Sequence, residues 1–336
     1  MLRPCRPLTR DSLPGKLHQA PHRRLRPSAV RRPKQRVIEQ VAIPKARKCP
    51  NGTQVARRRR FRWTVRGVVV VLAAGFLRFV GLDCKFYYPD DVQYDRPADF
   101  GLTCADVFFP TRDGLTLHGW FLPAQGAPRG TVVHFHGNAA NVSGHVGLVE
   151  WLPRAGYHVL MFDYRGYGKS PGRVTRAGTI LDGHAALDYA LARPETHGLP
   201  VFFYGQSLGG AVAVVVAAER PEVRAVVAES PFSSYRGVAA LHARRLVRWG
   251  WLARLLARIS ISAGLDPLDA VGRLAPRPLL VIAAGQDEIC FPEQARELYD
   301  AAAEPKEYWL VPGADHLSIS LTAGRELVDR VTRFFK

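Results

Sequence analysis

The sequence has few cysteines: five in 336 residues, with no two in the Cys-x-x-Cys spacing of a structural zinc site. This scarcity excludes a disulfide framework as the main source of stability. The 30 glycines and 25 prolines follow no repeating period, which excludes a collagen-like or low-complexity protein. With 47% hydrophobic and 23% charged residues, the chain is apolar enough for one large core, or at most two domains.

The formal net charge of +18 is concentrated at one end of the chain. Residues 1–60 contain 18 Lys and Arg against two acids, whereas residues 61–336 contain 29 basic and 27 acidic residues. A nucleic-acid-binding domain carries its positive excess on the folded part, so the nearly neutral remainder disfavours nucleic acid as a partner. The tail combines Arg with dispersed Pro and lacks a hydrophobic period, which predicts disorder. A start codon placed too early, with the true N-terminus near Val55, explains the tail equally well.

A membrane anchor is predicted at residues 61–83. Its centre is the apolar run from Gly67 to Leu77, which continues after Arg78 to Leu82. The run is shorter than the ~20 residues of a full span, but flanking aromatic side chains extend it as interfacial anchors. The Arg-rich side is expected in the cytoplasm, which makes the rest of the chain an extracytoplasmic domain, most simply at a bacterial inner membrane. A cleaved signal peptide would need an A-x-A-like site, which is lacking, and a buried core helix is the other alternative.

From about Asp95 the sequence alternates between short apolar strands and helical stretches. A hairpin with an Asp113-Gly114 turn comes first. Six further apolar or β-branched segments follow, and they are Thr131–His136, His158–Phe162, Val201–Tyr204, Ala225–Glu229, Leu279–Ala283 and Glu307–Val311. Continuous apolar strands that alternate with helices predict an α/β domain over residues 95–336, with a mostly parallel sheet covered by helices on both faces.

The strongest chemical signal is the segment Gly205-Gln206-Ser207-Leu208-Gly209. It joins a predicted strand to a predicted apolar helix, which is the context in which G-x-S-x-G exposes a nucleophilic serine. Glycines two residues before and after Ser207 let neighbouring backbone pass close by. The helix N-terminus directs N–H groups towards developing negative charge, so the backbone N–H of Leu208 is a candidate oxyanion donor. An ordinary serine in a Gly-rich helix cap is the alternative.

A serine nucleophile needs a base, and the base needs an acid that orients it. His316 follows the last predicted strand and is the only histidine after His242. Asp287 follows the preceding strand, which gives the chain order serine, acid, histidine. Asp287 is preferred over its neighbour Glu288, and over Asp315, whose carboxylate is too close in sequence to His316 to reach the ring in the orienting geometry.

The second oxyanion donor is expected from the loop His136-Gly137-Asn138-Ala139-Ala140-Asn141, and the backbone N–H of Asn138 is the candidate. His134 and His136 also form an H-x-H pair. Metal binding by this pair is disfavoured, because no matching carboxylate or third histidine is close in sequence.

Together these motifs resemble the α/β-hydrolase superfamily. The shared segments are, in order, HGNAAN, DYRGYGKS, GQSLGGA, ESPF, GQDEICFP and PGADH. The resemblance covers about residues 61–336 and is strongest for membrane-anchored members with an aromatic-Pro stretch like FYYP after an N-terminal hydrophobic segment. It implies a serine hydrolase of esters, thioesters or lipids, related to acylglycerol lipases and depalmitoylating thioesterases, with no metal or organic cofactor. Ala140, Cys290 and Asp315 depart from the residues usual in these relatives.

Two other functions stay open. A serine peptidase of the same fold is one, although such branches usually carry an added domain. A non-catalytic, membrane-bound binding protein is the other, although such relatives normally lose a member of the triad. Cys84 and Cys104 are able to pair if the domain is extracytoplasmic.

A small helical cap over the pocket is expected at about residues 235–266. Within it, Leu241–Ile261 predicts an amphipathic helix in which five arginines alternate with Leu and Trp side chains. The helix either lies in a membrane interface and delivers an acyl chain to Ser207, or packs its apolar face on the sheet as an ordinary surface helix.

Overall fold

The computed structural model describes residues 61–67 and 86–336. The predicted tail at residues 1–60, most of the predicted anchor, and Cys84 lie outside the described residues. Residues 61–67 are helical and exposed. Within the described ranges, no helix combines the length and the apolar character needed to cross a membrane. The anchor at residues 61–83 and the pairing of Cys84 with Cys104 therefore stay predictions.

Ten strands are described. They are β1 (Tyr88–Pro89), β2 (Ala105–Pro110), β3 (Thr116–Leu122), β4 (Gly130–Phe135), β5 (Ala139–Ala140), β6 (Tyr157–Phe162), β7 (Val201–Gln206), β8 (Val223–Glu229), β9 (Leu279–Ala284) and β10 (Lys306–Val311). Eight of them form one sheet in the order β10-β9-β8-β7-β4-β6-β3-β2, and β1 pairs with β5 in parallel. β2 and β3 form the predicted hairpin, β3 is antiparallel to β6, and the other neighbours are parallel. The predicted α/β-hydrolase fold is confirmed.

The helices connect the strands and cover the sheet on both sides. They are α1 (Val142–Val149), α2 (Trp151–Arg154), α3 (Arg176–Ala192), α4 (Leu208–Glu219), α5 (Tyr235–Ala243), α6 (Gly250–Ser260), α7 (Pro267–Ala270), α8 (Pro292–Ala301), α9 (Ile319–Ala323) and α10 (Arg325–Phe334). Side chains of α3, α4 and α8 join one hydrophobic core, and side chains of α1 and α10 join a second core on the other side.

The central strands are apolar throughout because they supply both cores. Successive side chains of a strand point to opposite faces. Val133 and Phe203 lie in the first core, whereas their neighbours Val132 and Phe202 lie in the second. This double burial is the reason that β4 and β7 show no alternation of apolar and polar residues.

Buried charges fix the loop that follows β6. Arg165 donates from Nε to Asp182 Oδ1 at 2.9 Å and from a terminal nitrogen to Asp113 Oδ2 at 2.6 Å. Asp163 accepts a hydrogen bond of 2.9 Å from the backbone N–H of Val142, the first residue of α1. Since α1 directly follows the predicted oxyanion loop, this carboxylate holds one end of that loop in place.

The cap contains two helices instead of the single helix predicted over Leu241–Ile261. α5 ends at Ala243 and α6 begins at Gly250, with a turn between them. The amphipathic period continues through the turn and does not reveal the break. The sequence signal for the break is Gly250, a helix-disfavouring residue that stands at the first position of α6. α6 buries two small side chains, Ala253 and Ala257, and leaves larger apolar side chains of its sequence exposed.

We expect Arg165→Met to lower the free energy of unfolding by about 3–5 kcal/mol, because Asp182 would lose the cation that compensates its burial. Denaturant unfolding would measure the change. Arg112→Met is the matched control, since Arg112 forms an exposed pair with Asp188 at 3.7 Å and should cost less than about 1 kcal/mol. Equal losses in the two variants would contradict a structural role for the buried pair.

Candidate active site

Ser207 lies at the sharp turn between β7 and α4. Its backbone has φ 56° and ψ −117°, a strained conformation for a residue with a side chain. The two flanking glycines allow this turn. A Cβ at Gly205 would collide with the backbone of Gly209, and a Cβ at Gly209 would collide with the carbonyl groups of Phe135 and His136. The turn therefore places the Ser207 hydroxyl at the carboxyl edge of the sheet, as the G-x-S-x-G motif predicts.

The structure brings Ser207, His316 and Asp287 together. The His316 Nε2 atom lies 3.0 Å from Ser207 Oγ, and His316 Nδ1 lies 2.7 Å from Asp287 Oδ2. The other carboxylate oxygen of Asp287 accepts hydrogen bonds of 2.8 Å from the backbone N–H groups of Ile289 and Cys290. These bonds orient Asp287 so that it accepts the Nδ1 proton, which leaves the Nε2 lone pair of His316 facing the serine hydroxyl.

The two alternative acids do not contact the His316 ring. The Glu288 carboxylate is exposed and pairs with Arg245 of the cap at 3.2 Å. Asp315 is exposed, and its backbone N–H donates to the hydroxyl of Ser318 at 2.7 Å. Among the three carboxylates considered from the sequence, Asp287 is the one that the geometry places on the histidine.

The two predicted oxyanion donors lie on adjacent segments. The contact of Gly209 with the carbonyl groups after β4 sets the N-terminus of α4 against the loop that contains Asn138. Leu208 is the first residue of α4, so its N–H has no acceptor within the helix. Within residues 86–336, the N–H groups of Leu208 and Asn138 donate to no other protein group. Both are therefore free to bind an oxygen atom of a substrate.

A strap formed by residues 86–94 crosses the loop of Asn138, and no sequence pattern predicts this arrangement. The Asn138 side chain donates to the carbonyl of Phe86 at 2.5 Å, and the Tyr88 N–H donates to the carbonyl of Asn138 at 3.4 Å. Further along, the Asn141 side chain donates to the carbonyl of Val92 at 2.9 Å. The aromatic-Pro stretch FYYP is thus a part of the site that holds the oxyanion loop.

The strap also contacts a residue with an unusual backbone conformation. Ala140 has a φ of 62°, which lies in the left-handed region that favours Gly. Its register partner in the parallel β1–β5 pair is Pro89 of the strap. The pairing holds Ala140 in a conformation that its side chain disfavours.

A buried polar layer lies directly behind Ser207. Gln206 donates to Glu229 Oε2 at 3.2 Å and accepts from His134 Nε2 at 3.1 Å. The hydroxyl of Tyr204 also donates to Glu229 Oε2. Burial raises the pKa of Glu229 above its ordinary value. These contacts join the GQS and ESPF motifs, which are far apart in the sequence.

Three buried histidines surround this layer. His145, which follows His136 by nine residues, lies beside His134 and His136, with ring centroids 6.4 Å and 5.5 Å away, so a third histidine does adjoin the pair. His145 Nε2 donates to the carbonyl of Ala139 at 3.1 Å, and His136 Nδ1 donates to that of Gly137 at 2.8 Å. Burial lowers the pKa of all three imidazoles, to about 3 for His134. In the part of the chain that the structure describes, no group of three His, Cys, Asp or Glu is arranged to hold a metal ion.

Cys290 is the departure nearest to the reactive atoms. Its Sγ atom lies 3.6 Å from Ser207 Oγ in a buried position. Burial raises the pKa of the thiol to about 12, so it is neutral at ordinary pH and does not compete with the serine as a thiolate nucleophile.

Comparison with known proteins assigns the chain to a family. The family model Hydrolase_4, described as serine aminopeptidase, S33, matches residues 126–274. WAV2 of Arabidopsis thaliana, an α/β hydrolase domain-containing protein, is 30% identical over 239 residues, which cover 68% of this chain and 77% of WAV2. The chain belongs to the α/β-hydrolase superfamily.

Two further proteins are similar to this chain. The uncharacterized protein YfhR of Escherichia coli is 34% identical over 238 residues, which cover 69% of this chain and 79% of YfhR. The crystal structure of the Pyrococcus furiosus esterase Pf2001 matches with a TM-score of 0.62 and 26% identity, over 74% of this chain and 97% of the esterase. The superfamily and its esterase neighbour support a hydrolase.

The buried histidines predict a loss of stability in acid. The unfolded chain binds protons at histidines below about pH 6.5, whereas buried His134 excludes its proton until about pH 3. The free energy of unfolding should therefore fall as the pH falls, and His134→Gln should reduce the loss between pH 7 and pH 5 by about 2 kcal/mol. Denaturant unfolding at both pH values would measure it. The exposed His197→Gln variant should match wild type, and a similar reduction in that variant would contradict the assignment.

The strap contacts predict a catalytic effect of the Asn138 side chain. Asn138→Ala keeps the backbone N–H but removes the hydrogen bonds to Phe86 and to the Tyr167 hydroxyl. We expect kcat for an activated ester to fall roughly tenfold with little change in KM, because the donor is positioned less well. Gln93→Ala, an exposed strap position, is the control and should retain wild-type kcat. An unchanged kcat in Asn138→Ala would show that the strap does not position the loop.

Proposed function

We propose that this α/β-hydrolase is a serine esterase or thioesterase that favours lipid-like acyl substrates. The observation that carries the proposal is the hydrogen-bonded series of Ser207, His316 and Asp287, with distances of 3.0 Å and 2.7 Å. A hydroxyl within reach of an oriented imidazole is the arrangement that activates a serine at neutral pH.

In the proposed reaction, Ser207 Oγ attacks the acyl carbonyl while its proton moves to His316 Nε2. The carbonyl oxygen becomes an oxyanion, which accepts hydrogen bonds from the N–H groups of Leu208 and Asn138. The bond to the alcohol or thiol then breaks, and the leaving group takes the proton from His316. Water repeats the sequence on the acyl-enzyme, giving up a proton to His316 and releasing the carboxylic acid and free Ser207. These steps require no metal or organic cofactor.

A serine peptidase is the second candidate, because the matching family model is described as serine aminopeptidase, S33. An aminopeptidase needs an anionic group to hold the substrate's α-ammonium ion. The cap segment at residues 235–265 contains six arginines and no acid. Of the acids near the site, Asp287 is held by His316 and Glu288 is paired with Arg245. The exposed Asp315 is the remaining acid beside the triad, and it lies outside the cap. This charge distribution favours an ester or thioester over a peptide with a free amino end.

Membrane attachment through residues 61–83 and an extracytoplasmic location belong to the same proposal. The apolar run and the Arg-rich segment before it support both. The strap starts at Phe86, directly after the proposed anchor, so the active site would lie close to the bilayer that contains its substrates.

The first test is covalent labelling of the full chain with a fluorophosphonate probe. Wild type should label, and Ser207→Ala should not, because the probe captures activated serines. His316→Ala should lower ester hydrolysis by about 10⁴-fold or more, since it removes the general base. Ser230→Ala is the matched control: its buried hydroxyl has no hydrogen-bond partner in the described residues, and its loss should leave labelling intact.

The outcomes separate the candidate functions. Labelling that is lost only in Ser207→Ala, with faster cleavage of acyl esters than of aminoacyl anilides, is the expected result. Preferential cleavage of aminoacyl anilides would overturn the ester proposal in favour of the peptidase. Failure of the folded wild type to label would point to the non-catalytic binding protein.

A further inference from the structure

The cap presents a set of exposed apolar side chains that the proposed chemistry does not use. Leu246 is 89% exposed, Trp249 64% and Trp251 62%, and Leu255 is exposed as well. We call the exposed side chains of residues 244–258 the cap surface. Scattered single apolar residues are normal on a protein surface, but two tryptophans and two leucines within ten positions form an unusual concentration.

The cap surface is also strongly cationic. Residues 235–265 contain six arginines and no Asp or Glu, whereas the rest of residues 61–336 contains 23 basic and 27 acidic residues. Among the described residues, Arg245 is the one cap arginine in an ion pair, with Glu288. Part of this charge is compensated by two acids of α8, Glu293 and Glu297. They line a cleft together with four of the cap arginines, which are Arg236, Arg244, Arg254 and Arg258. Arg248 is exposed and lies outside that cleft, beside Trp249.

The cap is mounted firmly on the α/β domain. Arg236 donates from Nε to the carbonyl of Ile261 at 2.9 Å, which ties α5 to the end of α6. Arg176 of α3 donates to the carbonyl of Gly264 at 2.7 Å, and Asp266 accepts from the Tyr235 N–H at 2.8 Å. The exposed apolar side chains are therefore displayed on a fixed frame and not on a loose end.

The cap surface adjoins the loop of the triad acid. His242 Nε2 donates to the carbonyl of Ile289 at 2.9 Å, and Arg245 donates to that of Glu288 at 3.1 Å. Ile289 is 52% exposed, and its own N–H donates to Asp287. A flat partner that covers the cap surface would thus lie against the rim of the site that contains Ser207.

We propose that the cap surface docks on an anionic phospholipid bilayer. Tryptophan and leucine side chains insert at the level of the headgroups, while arginines beside them pair with lipid phosphates. A nucleic-acid duplex bound through its phosphates would satisfy the arginines but leave Leu246 and both tryptophans in water. This inference rests on the surface of the cap and not on the proposed chemistry of Ser207.

The test uses tryptophan fluorescence of the full chain, made as Ser207→Ala so that no lipid is hydrolysed. The protein is reconstituted into vesicles of phosphatidylcholine with phosphatidylglycerol, or of phosphatidylcholine alone, with brominated acyl chains as quenchers. Trp249→Phe/Trp251→Phe keeps the apolar character of the cap but removes two of the six tryptophans. In the anionic vesicles, the Ser207→Ala protein with all six tryptophans should lose up to about a third more of its emission than this variant.

Two matched controls separate docking from a change in the fold. Trp151→Phe/Trp309→Phe removes two tryptophans that pack on the second core, away from the cap, and should leave the quenching of the cap intact. Arg248→Glu/Arg254→Glu should abolish the quenching of Trp249 and Trp251 by the brominated lipids. Arg325→Glu/Arg333→Glu reverses the same charge on α10, whose buried side chains join the second core, and should have no effect.

Four results would overturn the inference. One is equal quenching, in anionic vesicles, of the Ser207→Ala protein with and without the Trp249→Phe/Trp251→Phe change. A second is quenching of Trp249 and Trp251 that is equal in anionic vesicles and in vesicles of phosphatidylcholine alone. A response of the two cap tryptophans to an oligonucleotide without lipid would assign the surface to nucleic acid. A dimer that dissociates in Arg248→Glu/Arg254→Glu would assign it to a second copy of the chain. None of these readouts depends on hydrolysis, so a failure here is distinct from a failure of the proposed esterase.

Discussion

The candidate active site depends on one close backbone contact. The N-terminus of α4 can approach the end of β4 only because Gly209 has no side chain to strike the carbonyl groups there. The same contact allows the strained backbone of Ser207 and sets Leu208 beside the loop of Asn138. Any side chain at this position would separate the nucleophile from one of its two proposed oxyanion donors. The positions of the candidate nucleophile and of the candidate oxyanion donors thus follow from one packing constraint.

The rigidity behind that contact comes from buried polar groups that hydrogen-bond to one another. Gln206 links Glu229 to His134, and Asp163 holds the first N–H of α1. Each of these side chains lies where a strand of the sheet ends, so together they fix the relative positions of the loops. A purely apolar layer would fill the same space without specifying these positions, since dispersion contacts have little directional preference.

Much of the site could be predicted because a parallel sheet brings strand ends together. Ser207, Asp287 and His316 each follow a strand, so a local pattern was sufficient to identify all three before their contacts were seen. The strap could not be predicted in this way. Its pairing with the oxyanion loop involves two residues on each side, about 50 positions apart, and so short a pair has no periodic signal. The break in the cap was hidden for the opposite reason, because a strong amphipathic period runs across a turn. His145 follows His136 by nine residues, but the H-x-H spacing does not indicate that α1 folds it back onto the pair.

The strap changes where the catalytic unit begins. The alternation of strands and helices starts near Asp95, and a domain defined by that alternation would omit β1. Such a fragment would retain every residue of the triad and the entire eight-stranded sheet, yet remove the strand that pairs with β5 among the described residues. The length of chain that contains the sheet and the length that contains every contact of the loop of Asn138 are therefore different. Fragments made for biochemical work need to start at or before Phe86.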